Sequence, residues 1–138
     1  MITVHRQGFT DAQNRMIDEA VALGNKVRAS LDFVSGIAAM KEPRLMTHLV
    51  QSEFLKLDLE FYRPWNPFTS AVAHAQDGVI YLNKRAFNLG IDGLCACLFH
   101  ETCHLAPLNY KHASNRPIIQ DVPRKVGALV LEVARRLA

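Results

Sequence analysis

The chain has 138 residues, of which 49% are hydrophobic and 21% charged, and its formal net charge at pH 7 is +3. This apolar content excludes a disordered or fibrous chain and predicts one globular domain over residues 1–138. The small net charge excludes a nucleic-acid footprint, and no run of residues reaches the ~18 apolar side chains that a membrane span needs, so we expect neither kind of partner.

The first half of the chain is expected to be mainly helical. A capping box at residues 10–13 predicts a helix over about 11–30 with one apolar side. Residues 31–57 also keep helical spacing, with a break at Pro43. Apolar and charged residues then alternate over 57–62, which is typical of a half-buried strand.

The second half is expected to contain a hairpin and two further helices. Asp77-Gly78 is a hairpin signal between strands at 70–75 and 78–83, and a buried helix follows at about 92–106. A last helix begins at Asp121, with its core-facing residues at Val126, Leu129, Val130, Val133 and Leu137. N-terminal helices, a short antiparallel sheet, a buried helix and a C-terminal helix together predict an α+β fold.

The most informative stretch is His100-Glu101-Thr102-Cys103-His104, which lies in the predicted buried helix. Residues four apart share a helix face, so His100 and His104 can bind one metal ion with Zn–N distances of about 2.0–2.1 Å. Glu101 projects close to the same pocket, where it can take a proton from a metal-bound water. This His-Glu-x-x-His pattern resembles the zincin superfamily of metallopeptidases. The resemblance implies a zincin-like domain, one zinc ion per chain and hydrolysis of peptide bonds.

The surroundings of the motif favour a functional interpretation. Residues 94–99 are apolar or thiol side chains on all sides of the helix, which indicates burial. Asp92 is the expected N-cap of this helix, and Pro107 predicts that it ends near Ala106. Glu101 would then be a formally charged side chain in a buried segment. A buried carboxylate is costly and is usually tolerated only beside a cation, a metal or strong donors.

A catalytic zinc site normally has three protein ligands and a water molecule, so a third ligand is needed. His112 is the leading candidate, because Pro107 ends the helix and the segment after it is long enough to fold back to the metal. This segment resembles the extended His motif of the metzincins, although the glycine of that motif is absent and Tyr110 stands where its third His would be. Asp121, as in the aspartate-ligand zincins, and Glu132, as in the glutamate-ligand ones, are the alternatives.

Residues 70–130 are also similar to a group of small bacterial and phage metallopeptidases. That group combines an edge strand ending in Tyr-Leu-Asn, the His-Glu motif, a downstream His and a Val-Pro-x-x-Val-Gly segment, here residues 122–127. Arg124 stands where the group tends to have Tyr. In zincins the strand before the motif helix commonly aligns an extended substrate, a role that would fall here to residues 78–83 or their partner strand.

The leading hypothesis is therefore a zinc-dependent peptidase that acts on a peptide or protein, with Glu101 as its general base. Tyr110 and Arg124 are candidates to stabilise the developing oxyanion. One alternative is another zinc hydrolase of the endoribonuclease kind, against which the Glu in the motif and the lack of a basic patch argue. A peptide deformylase would need a Cys ligand well upstream of the motif, and no cysteine precedes Cys95. The other alternative is a non-catalytic metal-binding or interaction module.

The remaining His and Cys residues have simpler expectations. Cys97 shares a helix face with the histidines and is a minor candidate ligand, whereas Cys103 is expected to pack in the core. A disulfide between Cys95 and Cys97 would have poor geometry. Free thiols, and residues 1–6 without the apolar core of a signal peptide, favour a cytoplasmic protein. His74 is expected to be a hydrogen-bonded residue of the hairpin.

Overall fold

The computed structural model describes residues 1–112 and 121–137, and the predicted α+β class is confirmed within them. Four strands form one sheet, namely β1 (Ile2–Gln7), β2 (Leu55–Phe61), β3 (Ala73–Gln76) and β4 (Val79–Leu82). The described residues also form five α-helices, namely α1 (Asp11–Ala29), α2 (Leu31–Ala39), α3 (Pro43–Leu45), α4 (Gly90–Thr102) and α5 (Val122–Leu137). A π-helical segment, Met46–Gln51, continues α3, and a 3-10 helix, Lys84–Asn88, precedes α4.

The sheet is mixed, and the strand order is β1-β2-β4-β3. β1 pairs in parallel with β2, and β2 pairs in parallel with β4. The expectation of a short antiparallel sheet is therefore wrong except for the β3–β4 hairpin, which is confirmed. Sequence reasoning missed β1, because its parallel register with β2 is reached through a long helical crossover that no local turn signal marks.

One face of the sheet packs against the helices. Leu55, Leu57 and Leu59 of β2 are buried, whereas Lys56 and Asp58 between them are exposed. Ile80 and Leu82 of β4 are fully buried as well. This alternation gives two layers, with the apolar core between the sheet and the helices.

The helix that carries the motif lies in the middle of the helical layer. Leu94, Cys95, Leu98 and Phe99 of α4 are buried, and α4 packs against α1 and α5. The helix begins at Gly90 with Leu89 at its N-cap, so the prediction of Asp92 as N-cap is wrong.

Both predicted ends of α4 need correction. Asp92 lies in the first turn, where its carboxylate accepts hydrogen bonds from the Gly93 N–H at 2.8 Å and from Arg135 Nε at 3.2 Å. The helix ends at Thr102 and not near 106, because the chain turns back after Cys103.

The other helical predictions are mostly confirmed. Thr10 and Gln13 form the predicted capping box of α1. On α5, Val126, Val130 and Val133 are buried, but Leu137 is 41% exposed and does not face the core as expected. The three cysteines are free thiols, as expected. Among residues 1–112 and 121–137, no helix has the length and apolar character that crossing a bilayer requires.

A glycine in α1 allows the helix to approach both the sheet and α4. A Cβ atom on Gly24 would lie 2.8 Å from Ile2 Cδ1 of β1 and 3.2 Å from Phe99 Cε2 of α4. Both contacts are shorter than side chains normally make. Phe99 directly precedes His100, so this close approach helps to fix the position of the motif.

We expect Gly24→Val to destabilise the protein by about 1–3 kcal/mol, because its methyl groups overpack the junction of β1, α1 and α4. Ala22→Val, at an exposed position of the same helix, is the control and should cost less than about 1 kcal/mol. Urea denaturation followed by circular dichroism measures both. Equal losses in the two variants would contradict the close packing at Gly24.

Candidate metal centre

The three histidines that the sequence singled out converge in space. The distance from His112 Nε2 is 3.3 Å to His100 Nε2 and 3.2 Å to His104 Nε2. All three potential ligand atoms lie within 4.8 Å of one another. Two ligands at a tetrahedral angle around a zinc ion, each about 2.0–2.1 Å from it, are roughly 3.3–3.4 Å apart. The two distances to His112 therefore match those around a tetrahedral ion, and the three atoms are close enough to share one.

The end of α4 brings the first two histidines together. His100 lies in the last turn of α4, and His104 lies just beyond the end of the helix. Cys103 keeps helical backbone angles, and the His104 N–H donates to the Glu101 carbonyl at 3.0 Å. The chain thus continues to coil past Thr102, and the two imidazoles stay on one face as the four-residue spacing predicted.

A tight return loop brings the third histidine. Leu108 is fully buried and anchors the loop, and the Tyr110 N–H donates to the Cys103 carbonyl at 2.8 Å. Asn109 has a positive φ of 52°, a conformation that Asn adopts more readily than most residues. The loop therefore reverses direction within a few residues and places His112 against the helix end, as the sequence predicted.

Two residues hold this loop in place, one in α3 and one directly before it. Arg44 Nη1 donates to the Leu108 carbonyl at 3.1 Å, and its guanidinium lies over the Tyr110 ring at 4.7 Å. The Tyr110 hydroxyl donates to Glu42 Oε2 at 2.9 Å. Sequence reasoning missed both supports, because the contacts join residues more than sixty positions apart.

Two of the imidazoles have their second nitrogen held by an acceptor. His104 Nδ1 lies 2.6 Å from the Tyr110 carbonyl, which can only accept, so His104 donates its Nδ1–H. His112 Nδ1 lies 2.7 Å from Asp121 Oδ2 and donates in the same way. Such partners fix the tautomer of a metal-binding histidine and leave Nε2 free for the metal.

These tautomers make the contacts among the Nε2 atoms informative. When neutral, His104 and His112 both present a lone pair at Nε2, so the 3.2 Å contact between them is repulsive unless a cation lies between. A proton shared between His104 and His112 would not also stabilise the second contact, between His100 Nε2 and the same His112 nitrogen. One metal ion would satisfy all three nitrogens.

Asp121 has a different role from the ligand role that we considered for it. Its side chain is fully buried, with one oxygen on His112 and the other accepting the Arg124 N–H at 3.2 Å at the start of α5. Burial alone would raise the pKa of this carboxyl group, but the hydrogen bonds from His112 and Arg124 outweigh it and lower the pKa. Asp121 therefore orients a histidine and caps a helix at once.

Burial also controls the protonation of the motif residues. It is the main reason why the pKa of His100 falls to about 4, and the neighbouring histidines lower it further. The pKa of His104 is lowered too, again mainly by burial. These two imidazoles are thus neutral at neutral pH, as metal binding requires.

Glu101 is a buried carboxyl group beside the three histidines. Burial raises its pKa to about 7, an effect that His112 partly opposes. Among residues 1–112 and 121–137, no side chain or backbone group forms a hydrogen bond or an ion pair with its carboxylate. The predicted combination of a buried acid and two adjacent histidines is therefore present.

A cleft of about 380 Å³ opens beside the cluster. His100 and Glu101 line it from α4, Arg124 lines it from α5, and Val72 lines it from the side of the sheet. Cys97 also faces this cleft, but burial, together with the charge of Glu101, raises its pKa to about 12 and keeps it a thiol. It is not among the three residues that could share a metal ion.

The other candidates lie outside the cluster. Glu132 is exposed and pairs with Arg136 one turn along α5, so solvation explains it. His74 is exposed on β3 and stacks on the Tyr81 ring, with ring centroids 4.9 Å apart. Cys103 is buried, and its thiol donates to the Phe99 carbonyl, as expected for a packing residue.

The structure also shows which part of Tyr110 contacts the site. Its carbonyl accepts from His104, whereas its hydroxyl is engaged by Glu42. The hydroxyl role expected from the sequence stays a prediction, which this hydrogen bond does not support. A main-chain contact of this kind leaves no signal in the residue type.

We expect Asp121→Asn to weaken zinc affinity by about 10- to 100-fold, because the charge that orients His112 is lost. Asn caps helices as well as Asp, so the unfolding free energy of the metal-free protein should change by less than about 1 kcal/mol. Competition with a fluorescent zinc chelator measures the affinity. Glu132→Gln is the control. An equal loss of zinc affinity in that variant would contradict the role of Asp121 in orienting His112.

Comparisons with family models, with curated proteins and with solved structures found no match to this chain. Any functional assignment therefore rests on the residues, distances and charges of the chain itself.

Proposed function

We propose that this chain is a zinc-dependent peptidase in which His100, His104 and His112 bind the metal and Glu101 is the general base. The observation that carries the proposal is the convergence of three Nε2 atoms, at a spacing that fits a tetrahedral ion, beside a buried carboxyl group that borders a cleft. The zinc ion would supply Lewis acidity, which brings the pKa of water near ~7 and polarises a carbonyl group.

The number of protein ligands supports a catalytic rather than a purely structural metal. The described residues bring no fourth His, Cys or carboxylate side chain to the cluster. Residues 113–120 contain none of these residue types. Structural zinc sites are normally closed by four protein ligands, whereas catalytic ones keep a position open to the cleft.

The chain's own residues would then perform the proton transfers. Glu101 is next to His100 on the cleft wall, where its carboxylate would accept a proton from the attacking water and pass it to the leaving amine. A pKa close to the working pH suits a group that must first accept and then donate a proton. Tyr110, through its carbonyl, and Asp121 would hold the imidazoles so that their Nε2 atoms keep facing the metal.

The sheet offers a place for an extended peptide. Among the described residues, β3 and β1 are the two edge strands, and β4 lies between β2 and β3. Of the two candidate strands, β3 is therefore the one with an edge that no described strand covers. Val72 precedes β3 and lines the cleft beside Glu101, so a peptide added along this edge would pass the cluster.

We expect Glu101→Gln to keep about one zinc ion per chain and to lose peptide hydrolysis by at least about 100-fold, because Gln cannot accept the proton. His112→Ala is the companion variant, and it should lose both zinc and activity. Zinc is measured by elemental mass spectrometry of untagged protein, and hydrolysis with a library of fluorescence-quenched peptides. Full activity in Glu101→Gln would overturn the proposed base. If the zinc-loaded parent protein cleaves no peptide in the library, the proposed peptidase activity is overturned.

Tyr110→Phe tests whether the tyrosine hydroxyl takes part. We expect zinc content to be unchanged and kcat/KM to stay within about threefold of the parent, because the carbonyl that holds His104 remains and the hydroxyl is engaged by Glu42. Loss of a true oxyanion donor typically costs about 100- to 1000-fold in kcat. A loss of that size with zinc retained would show that the hydroxyl swings into the cleft during the reaction.

A further inference from the structure

A second concave site lies away from the histidines, where the three parallel strands end. β1, β2 and β4 all run in the same direction, and a cavity of about 730 Å³ opens beyond their carboxyl ends. Gly8 follows β1 there, Arg63 lies two residues after β2, and Lys84 and Arg85 come soon after β4. In open sheets with helices, the crevice at the carboxyl ends of parallel strands is the usual place for a small ligand.

The polar residues around this cavity are strongly biased to positive charge. Arg63, Lys84 and Arg85 line it, and no Asp or Glu does. Among residues 1–112 and 121–137, none of these three cations has a carboxylate within 4.0 Å. Residues 113–120 contain no acid. Three like charges around one concave surface raise its positive potential and attract an anion.

The floor of the cavity is apolar and held in shape. Phe61 packs edge-on against Phe9, with ring centroids 6.0 Å apart. Asn83, which is 1% exposed, donates from Nδ2 to the Tyr62 hydroxyl oxygen at 3.1 Å and to the Ala71 carbonyl at 2.7 Å. A flat apolar group would find an aromatic and proline surface there, formed by Phe61, Tyr62, Pro64 and Pro67.

The first turn of α1 also borders the cavity, but it contributes little to the attraction for an anion. Thr10 and Gln13 already satisfy each other's backbone N–H groups in the capping box. The attraction for an anion therefore comes from the side chains of Arg63, Lys84 and Arg85. Guanidinium groups bind phosphate oxygens through two parallel hydrogen bonds, which makes arginine well suited to this ligand.

We infer that this cavity binds a nucleotide that carries at least two phosphates. The phosphates meet Arg63, Lys84 and Arg85, and the base lies against the apolar floor beside Tyr62. The volume falls within the roughly 300–1,000 Å³ of small-molecule sites. Asn83 connects this cavity to the cleft beside the three histidines, because its backbone N–H donates to the carbonyl of Val72, which lines that cleft. The two sites are thus adjacent but separate.

The test is calorimetric titration of the protein with ADP in a buffer that contains EDTA and no magnesium, so that no metal ion bridges the phosphates. We expect one ADP per chain with a Kd below about 1 mM. Lys84→Gln/Arg85→Gln should weaken ADP by at least about tenfold. Lys26→Gln/Lys56→Gln, which removes two exposed charges elsewhere, should not.

Adenosine and inorganic pyrophosphate separate the two halves of the ligand. Each should bind at least about tenfold more weakly than ADP, because each lacks one of the two contacts. Absence of saturable ADP binding would overturn the inference, as would equal losses in the two double variants. If pyrophosphate binds as tightly as ADP, the proposal of a nucleotide ligand is overturned and the cavity is a simple anion site. Circular dichroism of every variant ensures that a loss of binding is not a loss of fold.

Discussion

The approach of His104 Nε2 to within 3.2 Å of His112 Nε2 is the constraint on which the rest of the site depends. Each of these rings donates its Nδ1–H to an acceptor, so in the neutral rings the facing Nε2 atoms carry lone pairs that repel. A fold that holds them together must supply both the rigidity to resist the repulsion and the opportunity for a cation to remove it. The fold provides the first, and a metal ion would provide the second.

That rigidity is assembled from distant parts of the chain. α4 is fixed from behind by α1, where Gly24 allows close contact with Phe99, and Asp121 at the start of α5 holds His112 from the far side. Asp121 also caps α5, so the docking of that helix and the orientation of the imidazole are coupled through one buried carboxylate. The return loop is attached to α3 through Arg44. No single element builds the cluster.

The sequence predicted the parts of this arrangement that are local. Helical spacing identified α1, α4 and α5, and a turn signal identified the β3–β4 hairpin. The motif spacing and the length of the return loop identified the three histidines. Everything that depends on contacts between distant residues was missed or assigned differently, namely the parallel pairing of β1, the contacts of Arg44 and the use of the Tyr110 carbonyl. Asp121 was recognised as relevant, but a carboxylate near a metal serves equally well as ligand or as ligand holder, and only its distance to His112 distinguishes the two.

The 3-10 helix and α4 together connect the two concave surfaces of the molecule. The cationic residues Lys84 and Arg85 belong to the 3-10 helix, and the histidines lie at the opposite end of α4. Charge separates the two surfaces as well, because the cavity is lined by cations that form no ion pair with a described residue, while the cleft contains a buried acid. Exposed cations cost little stability, whereas an acid that lacks a partner among the described residues is costly to bury. Selection for stability alone would remove Glu101 long before Lys84. The presence of Glu101 in a helix that is otherwise so well packed is therefore the stronger reason to propose chemistry at this end of α4.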